Sequence, residues 1–234
     1  MFIKRKYCSL CMNTWIVIAA YNEEHSIGHV VKGLVDAGYN NVVVVDDGSK
    51  DKTSEVAKKQ ANVVRHKVNQ GQGAALRTGI QYALKHGADI IVTFDADGQH
   101  RVHDLPAMIS PVEKGEVDVA LGSRFLGKHS NVPFLRRVFL KGGAFLVWLF
   151  YGVWLTDSHN GFRAFSRKAA EKIKITSPRM EHASEIIYEI KRNKLRYKEI
   201  PVVIQYTKYS KQHGQSSWNA FRILWKMIVH RVKQ

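Results

Sequence analysis

Up to residue 124 the chain alternates short β-branched runs with stretches of helical periodicity, and the connections between them are short. The strand-like runs are Thr14–Ala20, Asn41–Val45, Val63–Arg65, Asp89–Phe94 and Asp118–Leu121. Between them lie helical patterns over Glu23–Ala37, Thr53–Gln60, Ala74–His86 and His103–Lys114. In the first helix Ile27, Val30, Val31, Leu34 and Val35 share one face and Gly38 follows as a stop; in the second, Thr53 is placed as the N-cap. The four consecutive valines Val42–Val45 leave no polar face, which requires cover on both sides and parallel neighbours. This alternation predicts an α/β fold with a doubly wound, mostly parallel sheet, whose ligands bind beyond the carboxyl ends of the strands.

The polar residues fall at those ends. Tyr21-Asn22-Glu23 follows the first strand, Asp46-Asp47-Gly48-Ser49 the second, and Arg124 the fifth. Ile90–Phe94 runs into Asp95-Ala96-Asp97-Gly98-Gln99. On an extended backbone residues two apart share a side, so Asp95 and Asp97 converge with the Gln99 amide just past the strand. Hard oxygen ligands of this kind suit Mg²⁺ or Mn²⁺ when a diphosphate completes the shell. Taken alone, the same string is also an Asp-Gly turn that merely closes a strand. Its company at one sheet edge favours the site, because a chain that only had to fold has no reason to gather its acids there. Gly71-x-Gly73 opens the helix at Ala74 but is no dinucleotide fingerprint: a third glycine is missing and the loop does not follow the first strand.

Charge narrows the partners. The 234 residues carry 36 Lys and Arg against 20 Asp and Glu, a net charge of +16, with much of the excess after Ile186. That balance calls for an anionic partner: nucleic acid, anionic lipid or phosphorylated substrate. No nucleic-acid-binding motif occurs, and acids clustered on one edge would repel phosphates without a metal, so nucleic acid is set aside. Cys8 and Cys11 form a lone C-x-x-C and are read as a reduced pair in a cytosolic protein. The segment Met1–Ala20 is not a signal peptide, since Ser9, Asn13 and Thr14 interrupt its apolar part.

After Arg124 the pattern changes. Residues 125–137 form a basic loop with Pro133, and a helix is expected over 138–151. The apolar run Ala144–Leu155 covers only about 18 Å as a helix, short of a hydrocarbon core of about 30 Å, so it is a core or interfacial helix. Glu181–Arg192 is expected as a helix, and Leu195–Val203, which contains Pro201, as an edge strand. Trp218, Phe221, Trp225, Ile228, Val229 and Val232 share one face of a helix over Trp218–Val232 flanked by Arg222, Lys226 and Lys233. That helix fits either an anionic membrane surface or ordinary packing on the sheet.

From about Ile16 onward, the ordered motifs resemble the family 2 glycosyltransferases of the GT-A fold. The motifs are Tyr21-Asn22-Glu23-Glu24, Asp46-Asp47-Gly48-Ser49, Asp95-Ala96-Asp97-Gly98-Gln99, Gly122-Ser123-Arg124, Asn160-Gly161-Phe162-Arg163, Glu199-Ile200-Pro201 and Gly214-Gln215-Ser216. Within that family the set is similar to the polyprenyl-phosphate sugar transferases, the group that includes dolichol-phosphate mannose synthase. The resemblance implies that Ala19, Tyr21, Glu23, Asp46 and Asp47 line the nucleoside pocket, with Asp95, Ala96, Arg124 and Lys211 completing the nucleotide-sugar site. It implies a metal held by Asp95, Asp97 and Gln99, catalytic roles for Asp97 and Arg124, and acceptor-phosphate contacts from Arg136, Arg137 and Arg163. The implied reaction is an inverting, metal-dependent hexosyl transfer to a polyprenyl phosphate. A glycan hydroxyl is the alternative acceptor. A lipid phosphate is already an anionic nucleophile and needs no general base, only positive charge to gather it, and the late Arg and Lys residues supply that. The chain also lacks the Gln-x-x-Arg-Trp sequence of processive polysaccharide synthases. Ala19 replaces a common proline, Asn160 a common Ser or Thr, and Ser217 a lysine of the mannose synthases, which leaves both UDP and GDP open as the donor base. The expected arrangement is a catalytic domain over 14–216 and a basic amphipathic helix over 217–234, peripheral on the cytoplasmic membrane face.

Overall fold

The computed structural model describes residues 12–127, 142, 152–158 and 160–205. Seven strands form one sheet: β1 (Thr14–Ala20), β2 (Val42–Asp46), β3 (Asn62–Arg65), β4 (Ile90–Asp95), β5 (Val119–Ser123), β6 (Arg163–Ser166) and β7 (Tyr197–Pro201). Their spatial order is β3-β2-β1-β4-β6-β5-β7. Neighbours are parallel except for β6, which runs antiparallel to both β4 and β5. The helices are α1 (Ile27–Asp36), α2 (Thr53–Ala57), α3 (Gln72–Lys85), α4 (Leu105–Glu113), α5 (Arg167–Lys172) and α6 (His182–Arg192).

The core lies in two layers, one on each face of the sheet. Ile16, Ile18, Val42, Val44, Ile90, Val92 and Phe94 pack beneath α1 and α4; Trp15, Val17, Val43, Val45 and Ile91 pack beneath α3, α5 and α6. The split is the two-residue alternation of strands, and it explains why Val42–Val45 carries no polar residue. Each fully buried valine contributes about 1.5–3 kcal/mol, so β2 alone is a large share of the core's hydrophobic stabilisation. In α1 the buried residues recur at 27, 30, 31 and 34 as expected, and Gly38 ends the helix with φ +92° while Tyr39 N–H reaches back to the Leu34 carbonyl.

All six expected strands are present, with small shifts of boundary. Pro201 does lie on an edge, in β7 at the end of the sheet, although that strand spans Tyr197–Pro201 rather than Leu195–Val203. Strand β6 and helix α5 were not anticipated. Thr53 is the first residue of α2 rather than its N-cap; its hydroxyl accepts from Glu23 N–H and bonds the Asp51 carboxylate. The expected helices over 138–151 and Trp218–Val232, the basic loop beyond residue 127 and the Cys8/Cys11 pair lie outside the described residues.

Candidate active site

The strand register brings the polar ends together. Ala19 is level with Asp95 and Ala20 with Asp46, so β1, β2 and β4 finish along one edge. The turn after β1 is laced to the loop after β2. Asn22, at φ +55°, takes Ser49 Oγ through its N–H at 2.9 Å, and its side-chain oxygen accepts from Lys50 N–H at 2.9 Å. This projects Tyr21 outward, 43% exposed. The Glu23 carboxylate accepts from Ser26 Oγ and lies close enough to Asp97 to oppose its ionisation.

Asp46 and Asp47 sit where the sequence places them, but both are buried and bonded within the protein. Asp46 accepts from Ser49 N–H at 2.9 Å and from Ser54 Oγ, and pairs with Arg65 Nε at 3.4 Å. Asp47 accepts from Gln70 N–H at 2.9 Å and Gly71 N–H at 2.6 Å, and lies 2.7 Å from His66 Nδ1. They brace the loops that follow β2 and β3 at this edge. The Gly71-x-Gly73 loop has a packing reason. A Cβ at Gly73 would stand 2.2 Å from the Ser177 carbonyl oxygen, and one at Gly71, with φ +105°, 2.5 Å from that of Pro178.

The centre of the edge is the acid pair. Gln99 N–H bonds Asp97 Oδ1 at 3.0 Å across the turn made by Gly98, φ +73°. Asp95 is walled in. His100 Nε2 stands 2.8 Å from its Oδ2, and a Cβ added to Gly161 would lie 2.6 Å from its Oδ1. Asn160-Gly161-Phe162-Arg163 therefore closes directly on Asp95. Phe162 N–H bonds Asn160 Oδ1 at 3.0 Å, which fixes the bend before β6.

Arg124 is buried beside Asp157, whose Oδ2 accepts from Arg124 Nε at 2.6 Å and from Arg124 N–H at 3.1 Å. Asp157 is held in turn by Glu199, which accepts from the N–H groups of Thr156 and Asp157 and from Thr156 Oγ1 at 2.8–3.1 Å. Glu199 is thus the positioning member of its motif. Arg163, expected at the acceptor phosphate, is buried at 3% exposure with its charge facing Asp95 and Asp157. Arg136, Arg137 and Lys211 lie outside the described residues. Sequence reasoning assigned no role to His100, Asp157 or His182. His100 directly follows the Asp95–Gln99 motif, which is the only signal it offered.

Residues 15–174 match the Glycosyl transferase family 2 profile. The chain is a family 2 glycosyltransferase. A relative in Methanocaldococcus jannaschii, an uncharacterized protein, is 44% identical over 93% of this chain and 92% of its own length. A UDP-N-acetylglucosamine–dolichyl-phosphate N-acetylglucosaminyltransferase of Methanococcus voltae is 35% identical over 92% of this chain and 94% of its own. The same fold is seen in glucosyl-3-phosphoglycerate synthase of Mycobacterium tuberculosis, crystallised with Mn²⁺ and UDP-glucose. It aligns with a TM-score of 0.70 at 19% identity over 93% of this chain and 77% of that one.

In this glycosyltransferase the two acids are electrostatically unequal. Burial alone would raise the Asp95 pKa, but His100, then Arg163 and Arg124, outweigh it and hold the carboxyl below its ordinary range. Asp97 is pushed up to about 6, first by burial and then by the charge on Asp95. Burial lowers Arg163 to about 10, with Asp95 and Asp157 opposing the loss of its charge. His182, whose Nδ1 lies 2.7 Å from the Arg179 carbonyl, is lowered to about 4 by burial and then by Arg163, so it is neutral at pH 7.

Two carboxylates at a sheet edge, one resisting ionisation through burial and the charge on the other, fit a divalent cation. Among the described residues no set of three or more His, Cys, Asp or Glu forms a closed metal cage. The donor set matches the open kind of Mg²⁺ or Mn²⁺ site that takes one or two carboxylates and leaves the rest to phosphate and water.

Proposed function

We propose that this glycosyltransferase moves a hexosyl unit from a nucleotide sugar to a polyprenyl phosphate with inversion at the anomeric carbon. An oxygen of the acceptor phosphate forms the new bond to that carbon as the bond to the nucleoside diphosphate breaks. The observation that carries the reading is the charge layout of the edge: an anionic pair, Asp95 and Asp97, with Arg124 fixed nearby by Asp157. Two phosphates must meet at such a site, one leaving and one attacking, and neither needs a proton removed. Asp95, Asp97 and Gln99 would hold Mg²⁺ or Mn²⁺, which when bound neutralises charge on the departing diphosphate. Tyr21 and Glu23, on the turn braced by Asp46 and Asp47, would take the nucleoside. Arg124, aimed by Asp157, would bring its guanidinium charge to a phosphate.

The dolichyl-phosphate N-acetylglucosaminyltransferase relative supports a UDP-linked N-acetylhexosamine as donor. A peripheral position on the cytoplasmic membrane face, with 217–234 as a basic contact segment, agrees with the net charge of +16 and with Trp154 and Leu126, 64% and 47% exposed. No helix among the described residues is long and apolar enough to cross a membrane. One observation favours a glycan hydroxyl as acceptor instead. Asp157 Oδ1 is the one buried carboxylate oxygen without a hydrogen-bond partner among the described residues, and a hydroxyl needs such a base. The test is radiolabelled UDP-N-acetylglucosamine with Mn²⁺ and a short polyprenyl phosphate. Label should enter the organic phase as an acid-labile lipid phosphate; label confined to water-soluble glycan would establish the hydroxyl reading.

A further inference from the structure

We infer that His100 is a positioning residue for Asp95: its ring fixes the rotation of the carboxylate, and through it the affinity of the site for a divalent cation. The inference rests on the metal reading above and adds to it a residue outside the acid motif. The observations are geometric. His100 Nε2 stands 2.8 Å from Asp95 Oδ2, in a contact that is short but off the axis of a good hydrogen bond. A carboxylate only accepts, so any hydrogen in this contact lies on Nε2.

Nδ1 is buried and has no partner, and the ring is 5.3 Å from the Phe94 centroid and 5.0 Å from that of Phe162. For packing alone a phenylalanine or leucine would serve this pocket without desolvating an unpaired nitrogen. The polar ring is accounted for only by the carboxylate it touches. Its backbone is held as well: residue 100 bridges Ile204, and the Gln99 carbonyl accepts from Gln205 N–H at 2.9 Å. The ring therefore cannot swing away. On its other side Asp95 abuts Gly161, where even a methyl would intrude. The carboxylate is clamped between the ring and the glycine, in the manner of outer partners that orient metal-ligating groups.

The experiment measures Mn²⁺ binding, alone and with UDP, from the free-ion electron paramagnetic resonance signal of wild type, H100F, H100N and H100Q. H100F and H100N should bind Mn²⁺ about 10–100-fold more weakly, with H100N covering the case in which H100F does not fold. H100Q, whose longer amide reaches Oδ2 with an N–H, should recover most of the affinity. Thermal stability without metal should not fall in H100F. Undiminished affinity in H100F and H100N overturns the inference and leaves the metal reading standing. So does an electron-spin-echo modulation from a coordinated imidazole nitrogen that vanishes in H100N, because His100 would then be a ligand. A wild-type protein that binds no Mn²⁺ with or without UDP overturns the metal reading itself, and the inference with it.

Discussion

A single methyl group tests the arrangement of the acid pair most directly. Gly161 has a φ outside the left-handed region, so Gly161→Ala adds a Cβ without straining the backbone. That Cβ would lie 2.6 Å from Asp95 Oδ1 and 2.9 Å from Oδ2, where ordinary contact begins at 3.4 Å. The shortfall at Oδ1 is about 0.8 Å, and Asp95 cannot yield it toward His100, whose Nε2 is already 2.8 Å from Oδ2. Either the carboxylate turns or the segment before β6 backs away and carries Arg163 with it. Overpacking of this kind costs about 1–3 kcal/mol. At about 2–4 °C per kcal/mol for a chain of this size, Tm should fall by about 2–12 °C and the fold should survive. A displacement near 1 Å at a reacting centre costs about 100-fold in rate. Initial rates with UDP-N-acetylglucosamine, Mn²⁺ and a polyprenyl phosphate should therefore show kcat/KM down by roughly that factor, with Mn²⁺ affinity reduced in parallel. A variant with wild-type kcat/KM and wild-type Mn²⁺ affinity would refute the claim that Gly161 and His100 clamp Asp95.

Three further expectations rest on the same geometry. Asp97, with a pKa raised to about 6 from 3.8, binds its proton more tightly in the folded state, so its contribution to stability is greatest at low pH and is lost as pH rises through that window. Mn²⁺ needs the ionised form, so its Tm increment should grow as pH passes about 6 and should vanish in D97N; an increment independent of pH would count against Asp97 as a ligand. Glu199→Ala strips the acceptor from Thr156 and Asp157 and frees the loop that aims Arg124; denaturant midpoints should show a loss of about 1–3 kcal/mol, kcat should fall, and E199Q should lie between. Arg163→Leu removes one of the buried positive charges facing Asp95 and Asp157 and should cost about 3–5 kcal/mol in chemical denaturation, whereas R163K, which keeps the charge but not the fork, should cost less.

Much of this architecture was legible because β1, β2 and β4 are buried on both faces and must be written in apolar residues, and the switch to Asp, Asn and Glu at their ends is abrupt. What was illegible has identifiable causes. β6 has only four residues, Arg163-Ala-Phe-Ser, too few to show a period, and it is a strand only because β4 and β5 flank it. The bonding of Asp47 depends on Gln70 and Gly71, 23 and 24 residues onward, so no local pattern announces that its carboxylate is already committed. His100 and Asp157 are drawn to the site by their contacts with Asp95 and Arg124, and such contacts between side chains leave no mark in spacing.

The direction of β6 adds to the asymmetry of the acid pair, beside the larger effect of His100 on Asp95. Parallel strands deliver only their carboxyl ends to the site edge, and β1, β2, β4 and β5 do so with Ala20, Asp46, Asp95 and Ser123. An antiparallel strand set between β4 and β5 delivers its amino end there instead. Arg163 is the first residue of β6 and pairs with Thr93 and Leu121, so the segment that precedes it, Asn160–Phe162, arrives over Asp95. A parallel strand in that slot would have carried the same residues to the opposite edge. Because Arg163 and Phe165 are two apart, they share a face, and Phe165 packs in the layer under α6; Arg163 therefore lies on the side where His182 opens that helix. His182, held neutral, adds no competing charge. Arg163 thus serves the acids, and chiefly Asp95, which is held below its ordinary pKa while Asp97 is pushed up to about 6. The charges around Asp97 do not offset its burial and the neighbouring Asp95, and a divalent cation at this edge would supply what is wanting on that side of the pair.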